Sequence, residues 1–524
     1  MVLSLTACTS DNKTVVDGQT TVTSNSAGGV AVFTPSDGIT LNQQMPLNKW
    51  AKLVPDLTKA LVDAGFKKGD INHTTSDSLD KQSRAIQDFV VDHLSNNTTD
   101  DSGIAIAPDN MTLLVAPVVE ADASTRQYGD YVSQNLSTND VTDEGATSDG
   151  ESSEDDSSKD DSSNTESDST ASDEQAQAVD RLVSSLKLAK ESGMHVVLLG
   201  NSIEGYKPDA FVKFSDAQTI GKLQAEKMVS KLKLDKASKD NPKYIEVLLP
   251  YTAMDEKGNA NDSTFAQEAF RGIWQVLGSY YQKGVVESPS GTLDGKSTEN
   301  DWQAVAYDAA KEGSTAKVLD KRLAKTDGQS TLTRIDGIIT MNDYIASEVV
   351  KELDDLGYTG SAADINPQIT ISGIVGNITG KKDLSRDAVP DPIKSPENDN
   401  ANDSSSSDDD ADEDTSASDK DRDSQWPLVT GYGAYVSNIP SIVNGKQWMT
   451  GMEDRQTIAT DIAQACAKLN KDEALNSMPS IRNSEVGGVK KIPTISEPLL
   501  AVSASNLKSA LIDPGYISLA DAGL

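Results

Sequence analysis

Two strongly acidic runs interrupt a chain that otherwise alternates short apolar segments with amphipathic segments of helical length. Residues Ser148 to Glu174 and Asp399 to Asp423 are rich in Ser, Asp and Glu and contain very few Lys or Arg. The globular pattern stops at Asn135, resumes at Gln175 and stops again before Trp426. Because both runs lie inside the globular region, we expect them to be long disordered loops with too little apolar surface to offset chain entropy.

The alternation predicts an α/β fold with parallel sheets and right-handed crossovers. Strands are predicted at Val30–Phe33, Leu113–Pro117, Val196–Gly200, Tyr244–Leu249, Ile335–Thr340, Leu428–Gly431 and Pro498–Val502. Helices are predicted at Trp50–Leu61, Ala85–Leu94, Val179–Ala189, Gln218–Leu232, Phe265–Tyr281, Tyr344–Leu356, Thr457–Leu469 and Leu507–Leu511. These units exceed one compact sheet, so we expect two Rossmann-like lobes with a ligand between them, beyond the carboxyl ends of the strands.

Two local patterns leave alternatives open. Pro55 falls inside the first predicted helix, which therefore either starts later or is kinked. Ile369 to Gly373 also has the pattern of a strand and competes with Leu428–Gly431 for a place in the second sheet.

The charge of the chain bears on its partners. The 524 residues carry 82 Asp and Glu against 47 Lys and Arg, a formal net charge of -35. Such a charge argues against nucleic acid and against anionic lipid as bulk electrostatic partners. The acidic runs themselves fit a self-repelling spacer, a weak sponge for divalent cations or a docking segment for a basic partner, and the first of these is favoured.

The two cysteines, Cys8 and Cys466, differ in their surroundings. Leu5-Thr6-Ala7-Cys8 has the apolar-small-small-cysteine pattern of a bacterial lipobox, although only seven residues precede the cysteine and a chance match is the alternative. The Ser/Thr/Asn/Gly-rich segment Thr9 to Gly29 suits a flexible tether. Cys466 shares a predicted helix face with Ile458, so we expect a buried structural thiol and no disulfide.

Several segments together give the chain a family resemblance. They are Phe211–Ala225, Phe265–Gly291, Trp426–Ala463, which begins WPLVTGYG, and the C-terminal LKSALIDPGYISLADAGL. In these segments the chain resembles the sugar-binding lipoproteins of bacterial ABC importers, of the xylose and multiple-sugar type in the ribose/galactose-binding superfamily. The resemblance implies a type 1 periplasmic binding fold: two α/β lobes with parallel sheets joined by a multi-strand hinge.

The same resemblance exposes departures at the positions that bind sugar in the family. The Asp-Arg pair that follows the family's strand reads Gly200-Asn201 here, and the Gly-Gln-Asp reads Gly431-Tyr432-Gly433. A site built to bind hydroxyl groups loses several kcal/mol when its buried polar partners are missing. We therefore expect that the scaffold is kept and that the usual pentose or hexose is not bound in the usual way.

The resemblance implies ligand contacts for a set of residues whose structural roles compete with binding. Trp50 fits either a stacking platform for the ligand or a core residue. Asn342 and Asp343 follow a strand end, where a ligand would bind, and also suit a helix cap. Glu453 and Asp454 fit either ligand groups or the acids of a helix N-terminus. The expected ligand-binding residues are Lys49, Trp50, Asn201, Asp262, Asn342, Asp343, Tyr432, Glu453 and Asp454.

No set of residues in the sequence predicts catalysis or a cofactor. The three histidines, His73, His93 and His195, have neither the spacing nor the carboxylate neighbours of a metal or catalytic site. Phosphate-binding glycine loops and a nucleophile-base pair are also missing from the sequence. We therefore expect no metal, no cofactor and no enzymatic activity.

The predicted organisation has five parts. Residues 1–28 are the lipobox and tether, 29–215 the first lobe with an acidic disordered insertion at 136–174, and 216–447 the second lobe with an insertion at 360–425 that contains an acidic disordered run. Residues 448–495 return to the first lobe, and 496–524 lie on the second.

The sequence therefore predicts an extracytoplasmic lipoprotein, monomeric and anchored to the cell membrane. It would close on a small carbohydrate-like solute and deliver that solute to an ABC permease. The alternative is a degenerate relative that acts as a sensor or as a cell-surface interaction module without transport. The identity of the solute is beyond what the sequence predicts.

Overall fold

The computed structural model describes residues 27–36, 46–96, 106–119, 123–132, 134–137, 166–254, 261–309, 311–324, 332–362 and 424–524. Within these ranges the chain forms one sheet of seven strands and a second of four, with helices packed on both. The predicted α/β class with two parallel-sheet lobes is confirmed. The predicted lipidation residue Cys8 and the competing strand Ile369–Gly373 lie outside the described residues.

Seventeen strands are present in the described part of the chain. They are β1 Gly29–Pro35, β2 Ile71–Ser76, β3 Met111–Val115, β4 Asn135–Leu136, β5 His195–Leu199, β6 Ser202–Ile203, β7 Ala210–Lys213, β8 Lys243–Val247, β9 Leu249–Pro250, β10 Val286–Glu287, β11 Ala306–Tyr307, β12 Gly337–Ile339, β13 Leu428–Val429, β14 Met449–Met452, β15 Ile481–Val486, β16 Val489–Ser496 and β17 Leu500–Ser503.

The α-helices of the same residues are α1 Trp50–Asp63, α2 Leu79–Asn96, α3 Ala123–Arg126, α4 Glu166–Glu191, α5 Ala217–Lys231, α6 Thr264–Gln282, α7 Trp302–Val305, α8 Ser314–Arg322, α9 Asp343–Leu356, α10 Ile439–Val443 and α11 Arg455–Leu469. A π-helical turn, Lys508–Ile512, stands where a short helix was predicted. Helix α1 runs from Trp50 through Pro55 to Asp63, so it does not start later as one alternative had it.

The first lobe is built on the seven-stranded sheet, in the order β15-β16-β7-β5-β3-β1-β2. All neighbours are parallel except the hairpin β15–β16. Alternate residues of β1 enter two different cores: Val30 and Val32 pack with α1 and α11, whereas Ala31 and Phe33 pack with α2 and α4. This sheet is therefore buried on both faces, which explains the continuous apolar runs of its central strands.

The second lobe is built on the four-stranded parallel sheet β10-β8-β12-β13. One large core joins this sheet to its helices, with α5 packed on α6 and α8 on α9. The C-terminal segment forms a smaller core of its own around Leu507 and Val502, and Leu499 and Ala501 pack from it onto the second-lobe core.

Four strands of the seven-stranded sheet, β2, β7, β15 and β16, were not predicted from the sequence. Strand β2 is largely polar and exposed because it lies at the edge of the first sheet, where backbone pairing with β1 suffices. Hairpin β15–β16 carries charged residues on an exposed edge and turns at Gly487 and Gly488, which have φ of +55° and +77°. Strand β7 is only four residues long.

The expectation of disorder throughout residues 136–174 is wrong at both ends. Leu136 is buried in β4, which pairs with β6, and helix α4 already begins at Glu166. The apolar face of α4 around Leu182 and Leu186 packs against α2, and once a helix is nucleated each further residue adds a backbone hydrogen bond. The helix therefore extends upstream into the acidic run.

The ends of the second insertion meet on the second lobe. Thr359 pairs with Gln425, its N–H donates to the carbonyl of Ser424 at 2.8 Å, and its own carbonyl accepts from Trp426 N–H at 2.8 Å. The described chain thus stops at residue 362 and resumes at residue 424 at nearly the same point of the second lobe.

Candidate functional site

Three connections pass from one lobe to the other, and they define the floor of the crevice between the sheets. The chain crosses after β7 into α5, after β14 into α11 and after β16 into β17. Ile220 of α5 lies in the second core, Ile462 of α11 in the first, and Val502 of β17 in the C-terminal core. The loops at the carboxyl ends of both sheets meet above these crossovers.

A buried acid ties two of the crossovers together. Glu453 follows β14 and is 1% exposed; its Oε1 accepts a hydrogen bond from the backbone N–H of Ser215, which follows β7, at 2.6 Å. The hydroxyl of Tyr432 donates to the same Oε1 at 3.3 Å and shares a hydrogen bond with Ser215 Oγ. Burial raises the pKa of the Glu453 carboxyl to about 7.

A second buried acid organises the loops of the second lobe. Asp343 is fully buried; its Oδ1 accepts from Gln447 Nε2 at 2.7 Å, and its Oδ2 accepts from Tyr435 N–H and Thr450 Oγ1, both at 2.9 Å. Burial raises its pKa to about 6, although these donors act in the opposite direction. A Cβ on Gly431 would lie 2.1 Å from Asp343 Oδ1, so only glycine fits beside this carboxylate.

Asn342 does two things at once. Its Oδ1 accepts from Ile345 N–H at 2.9 Å and so caps α9, while its Nδ2 donates to Gln127 Oε1 at 3.1 Å. Gln127 belongs to the loop after α3 in the first lobe, so this amide pair spans the crevice. The cap and the contact across the crevice are therefore compatible roles.

Aromatic side chains fill the space where the two lobes face each other. Tyr128 is 1% exposed, and its ring centroid lies 4.7 Å from that of Phe265 and 6.3 Å from that of Tyr432. On the first-lobe side, Tyr131 stacks on Phe214 at 4.8 Å. The crevice cluster is thus formed by Trp50, Tyr128, Tyr131, Phe214, Phe265 and Tyr432.

The predicted residues of the first lobe are engaged in contacts of their own. Lys49 pairs with Asp130, with Nζ and Oδ1 at 2.7 Å, and both side chains are about one-fifth exposed. Trp50 is 2% exposed and packs edge-on against Tyr131 and Phe214. Asn201 donates to the carbonyl of Pro117 and accepts from Gln134 N–H, and it therefore fixes neighbouring loops of its own lobe.

Two of the predicted acids cap helices or turns. Asp454 accepts from Thr457 N–H at 3.2 Å at the start of α11, and Asp262 is exposed and accepts from Thr264 N–H at 2.9 Å. The structure therefore brings Asn342, Asp343, Tyr432 and Glu453 together, since Asp343 N–H also donates to the carbonyl of Tyr432 at 2.9 Å. Asn201, Asp262 and Asp454 lie outside that group.

Sequence reasoning missed the polar and aromatic residues that the first lobe contributes. Gln127, Tyr128 and Tyr131 lie in the loop that follows α3, and the signal was two tyrosines three residues apart on either side of a Gly-Asp turn pair. Asn48 was missed as well: it is 1% exposed, and its Nδ2 has no hydrogen-bond partner within the described structure. Its Oδ1 lies 3.5 Å from the N–H of Glu453, at the edge of the crevice cluster.

Two open grooves have other linings. One, of about 580 Å³, is lined by second-lobe residues that include Tyr251 and Trp302; the other, of about 370 Å³, is lined by first-lobe residues that include Asp209 and Glu473. Neither is lined by the crevice cluster.

Two further features concern metals and membranes. Across the described ranges, no three His, Cys, Asp or Glu side chains are placed to hold a metal ion. No helix within those ranges is long and apolar enough to cross a bilayer. Cys466 is fully buried in the first-lobe core, as predicted, and burial raises the pKa of its thiol.

Comparison with known proteins gives structural likeness only. No protein-family model and no curated protein matches the chain. A solute-binding protein of an ABC transporter from Clostridium phytofermentans, with bound β-D-glucose, is 17% identical; the match covers 94% of this chain and 99% of that one, with a TM-score of 0.46.

A carbohydrate transporter solute-binding protein from Chloroflexus aurantiacus in complex with D-glucose is also 17% identical, with coverages of 95% and 98% and a TM-score of 0.44. A periplasmic ribose ABC transporter protein from Conexibacter woesei is 13% identical, with coverages of 93% and 96% and a TM-score of 0.43. These descriptions name the class that the sequence resembles. At such identities and scores, neither ligand nor function transfers to this chain.

Proposed function

We propose that the protein is an extracytoplasmic solute-binding protein with two lobes, which binds a small solute in the crevice and presents it to an ABC permease. One observation carries this proposal: the carboxyl ends of the strands in the two parallel sheets face each other above the three crossovers. The crevice outside the carboxyl ends of the strands is the usual place for a ligand in such sheets. Ligand binding would shift the population of the lobes toward closure. No chemistry on the solute is part of the proposal.

The polar groups at the crevice indicate the kind of solute. They are amides and hydroxyls, Asn48, Gln127, Asn342, Ser215 and Tyr432, beside the carboxyl of Glu453. The guanidinium of Arg455, two residues after Glu453, is committed to Asp56 at 2.5 Å. These groups suit a small carbohydrate-like solute with an apolar face, bound without the Asp-Arg clamp of the resembled family.

The test is a thermal-shift and calorimetry panel of monosaccharides, oligosaccharides, nucleosides and polyols on the full chain. A true solute at 100 times its Kd stabilises the folded protein by about 2.7 kcal/mol, and that stabilisation is a clear rise in Tm. We expect Asn342→Ala to abolish the rise, because it removes the amide that spans the crevice. Lys59→Met, at an exposed pair on α1, serves as the control and keeps it.

We further propose that Cys8 carries the lipid that anchors the protein to the cell membrane. The expected result is that Cys8→Ser moves the protein from the membrane fraction to the soluble fraction and removes the mass of the acyl groups. Cys466→Ala is the matched control, since it removes the chain's other cysteine from a buried core and leaves the anchor intact. Equal membrane fractions for both variants would refute the anchor.

The filled crevice favours a second candidate, a sensor or cell-surface interaction module without transport. Tyr128 already occupies the space between the lobes and has almost no exposed surface. If no solute in the panel shifts Tm, and deletion of residues 148–174 or 399–423 abolishes binding to a purified partner protein, this candidate replaces the first.

A further inference from the structure

One loop of the first lobe reaches into the second. The side-chain oxygen of Gln127 accepts from Asn342 Nδ2 at 3.1 Å, and its backbone carbonyl accepts from the hydroxyl of Tyr435 at 2.8 Å. The next residue, Tyr128, belongs to the apolar core of the second lobe, where it packs against Phe265. The loop therefore makes polar and apolar contacts with the opposite lobe, as a bound solute would.

The same loop is held firmly in its own lobe. Asp130 N–H donates to the carbonyl of Asn48 at 2.8 Å, and the Asp130 carboxylate accepts from Lys49 Nζ at 2.7 Å and from Trp50 N–H at 3.0 Å. Gly129 has φ of +95°, and a Cβ there would lie 2.6 Å from the carbonyl oxygen of Asn48. The turn that presents Tyr128 is thus built against the start of α1.

We propose that the segment Gln127–Tyr131 is a built-in occupant of the crevice, which holds the lobes closed without a solute. A solute that enters must displace the ring of Tyr128. Because only a small fraction of the molecules has a vacant crevice, the apparent affinity of the protein for the solute is lower than the intrinsic affinity by that fraction. The proposal rests on the crevice named under the proposed function. It adds that closure in this protein is set by the chain itself and that an entering ligand competes with a phenol ring.

The test removes the ring and then replaces it from solution. In Tyr128→Ala, we expect the radius of gyration from small-angle X-ray scattering to increase relative to the wild type in the absence of any solute. Millimolar p-cresol, which has the chemistry of the missing side chain, is expected to restore the wild-type value and to raise the Tm of the variant. A cavity that matches a deleted aromatic ring binds the corresponding small compound.

Matched variants keep the outcome decisive. Tyr128→Phe keeps the ring and should scatter like the wild type. Tyr280→Ala, which removes a tyrosine at the end of α6 opposite Phe265, should neither open the protein nor respond to p-cresol. If Tyr128→Ala fails to fold, Gln127→Ala removes the amide contact with Asn342 and is expected to expand the protein to a smaller degree.

Two results would overturn the proposal: an unchanged radius of gyration in both Tyr128→Ala and Gln127→Ala, or an equal p-cresol response in Tyr280→Ala. These readouts need no natural solute, so an empty solute panel for both the wild type and Tyr128→Ala counts against the proposed function and leaves the built-in occupant unaffected. Where a solute is found, its affinity is expected to rise about tenfold or more in Tyr128→Ala.

Discussion

Replacing Arg322 with methionine is expected to destabilise the protein by about 3–5 kcal/mol, because it strands a buried carboxylate in the second lobe. Glu246 on β8 is fully buried, and its Oε2 lies 3.3 Å from Arg322 Nη1. The guanidinium also donates to the carbonyls of Val247 and Val305, at 2.5 and 2.9 Å. The carbonyls of Val247 and Val305 therefore lose a donor, and Glu246 loses its cationic partner, although Ser288 Oγ and Ser290 N–H still donate to its Oε1 at 2.7 and 2.8 Å.

The free energy of unfolding, measured by urea denaturation at neutral pH, tests this expectation. Lys59→Met breaks an ion pair of 2.7 Å whose side chains are 79% and 63% exposed, and it should change stability far less. The double variant Glu246→Gln/Arg322→Met should be more stable than Arg322→Met alone, since it removes the stranded charge. A loss for Arg322→Met no greater than that of the control would show that water reaches Glu246.

Glu453→Gln is expected to remove a fall in stability that the wild type shows between about pH 4.5 and pH 7. Burial raises the pKa of this carboxyl from an ordinary value of 4.5 to about 7, so the folded state holds a proton that the unfolded state has released. Its stabilising contribution is therefore complete below pH 4.5 and is lost as the pH rises through 7. A shift of that size corresponds to about 3 kcal/mol.

The measurement is the difference in unfolding free energy between pH 5 and pH 8 for the two proteins. Asp343, with a pKa raised to about 6, contributes a slope of the same sign in both, and Asp216 is the neighbouring charge that further disfavours ionised Glu453. Glu473→Gln is the control: this exposed acid has its pKa lowered by Lys468, so its small contribution runs in the opposite direction. Identical pH profiles for the wild type and Glu453→Gln would contradict the prediction.

The layered fold was predictable because its central strands and most of its helices carry strong periodic patterns. The apolar run around Val32 and the stripe of Leu53 and Leu57 are buried by the sheet and helix they were expected to form. Strand β2 and the hairpin β15–β16 were not predictable, because edge strands are stabilised by backbone pairing and need no alternating apolar pattern in their side chains.

The site was only partly predictable, because sequence shows which residues follow strand ends but not which ones reach across a crevice. Asn342 and Asp343 were expected directly after a strand end and Glu453 at a helix N-terminus, and the structure adds that Asp343 and Glu453 are buried acids with raised pKa values. The contribution of Tyr128 depends on a turn at Gly129 and on the position of the opposite lobe. Neither is encoded in the local pattern of the loop.

The pairing of Thr359 with Gln425 bears on how this chain has been free to vary. A connection whose two ends are already joined adds only about 0.6 kcal/mol of closure entropy for each doubling of its length. Changes in the number of residues between Thr359 and Gln425 are therefore expected to alter the free energy of unfolding only slightly.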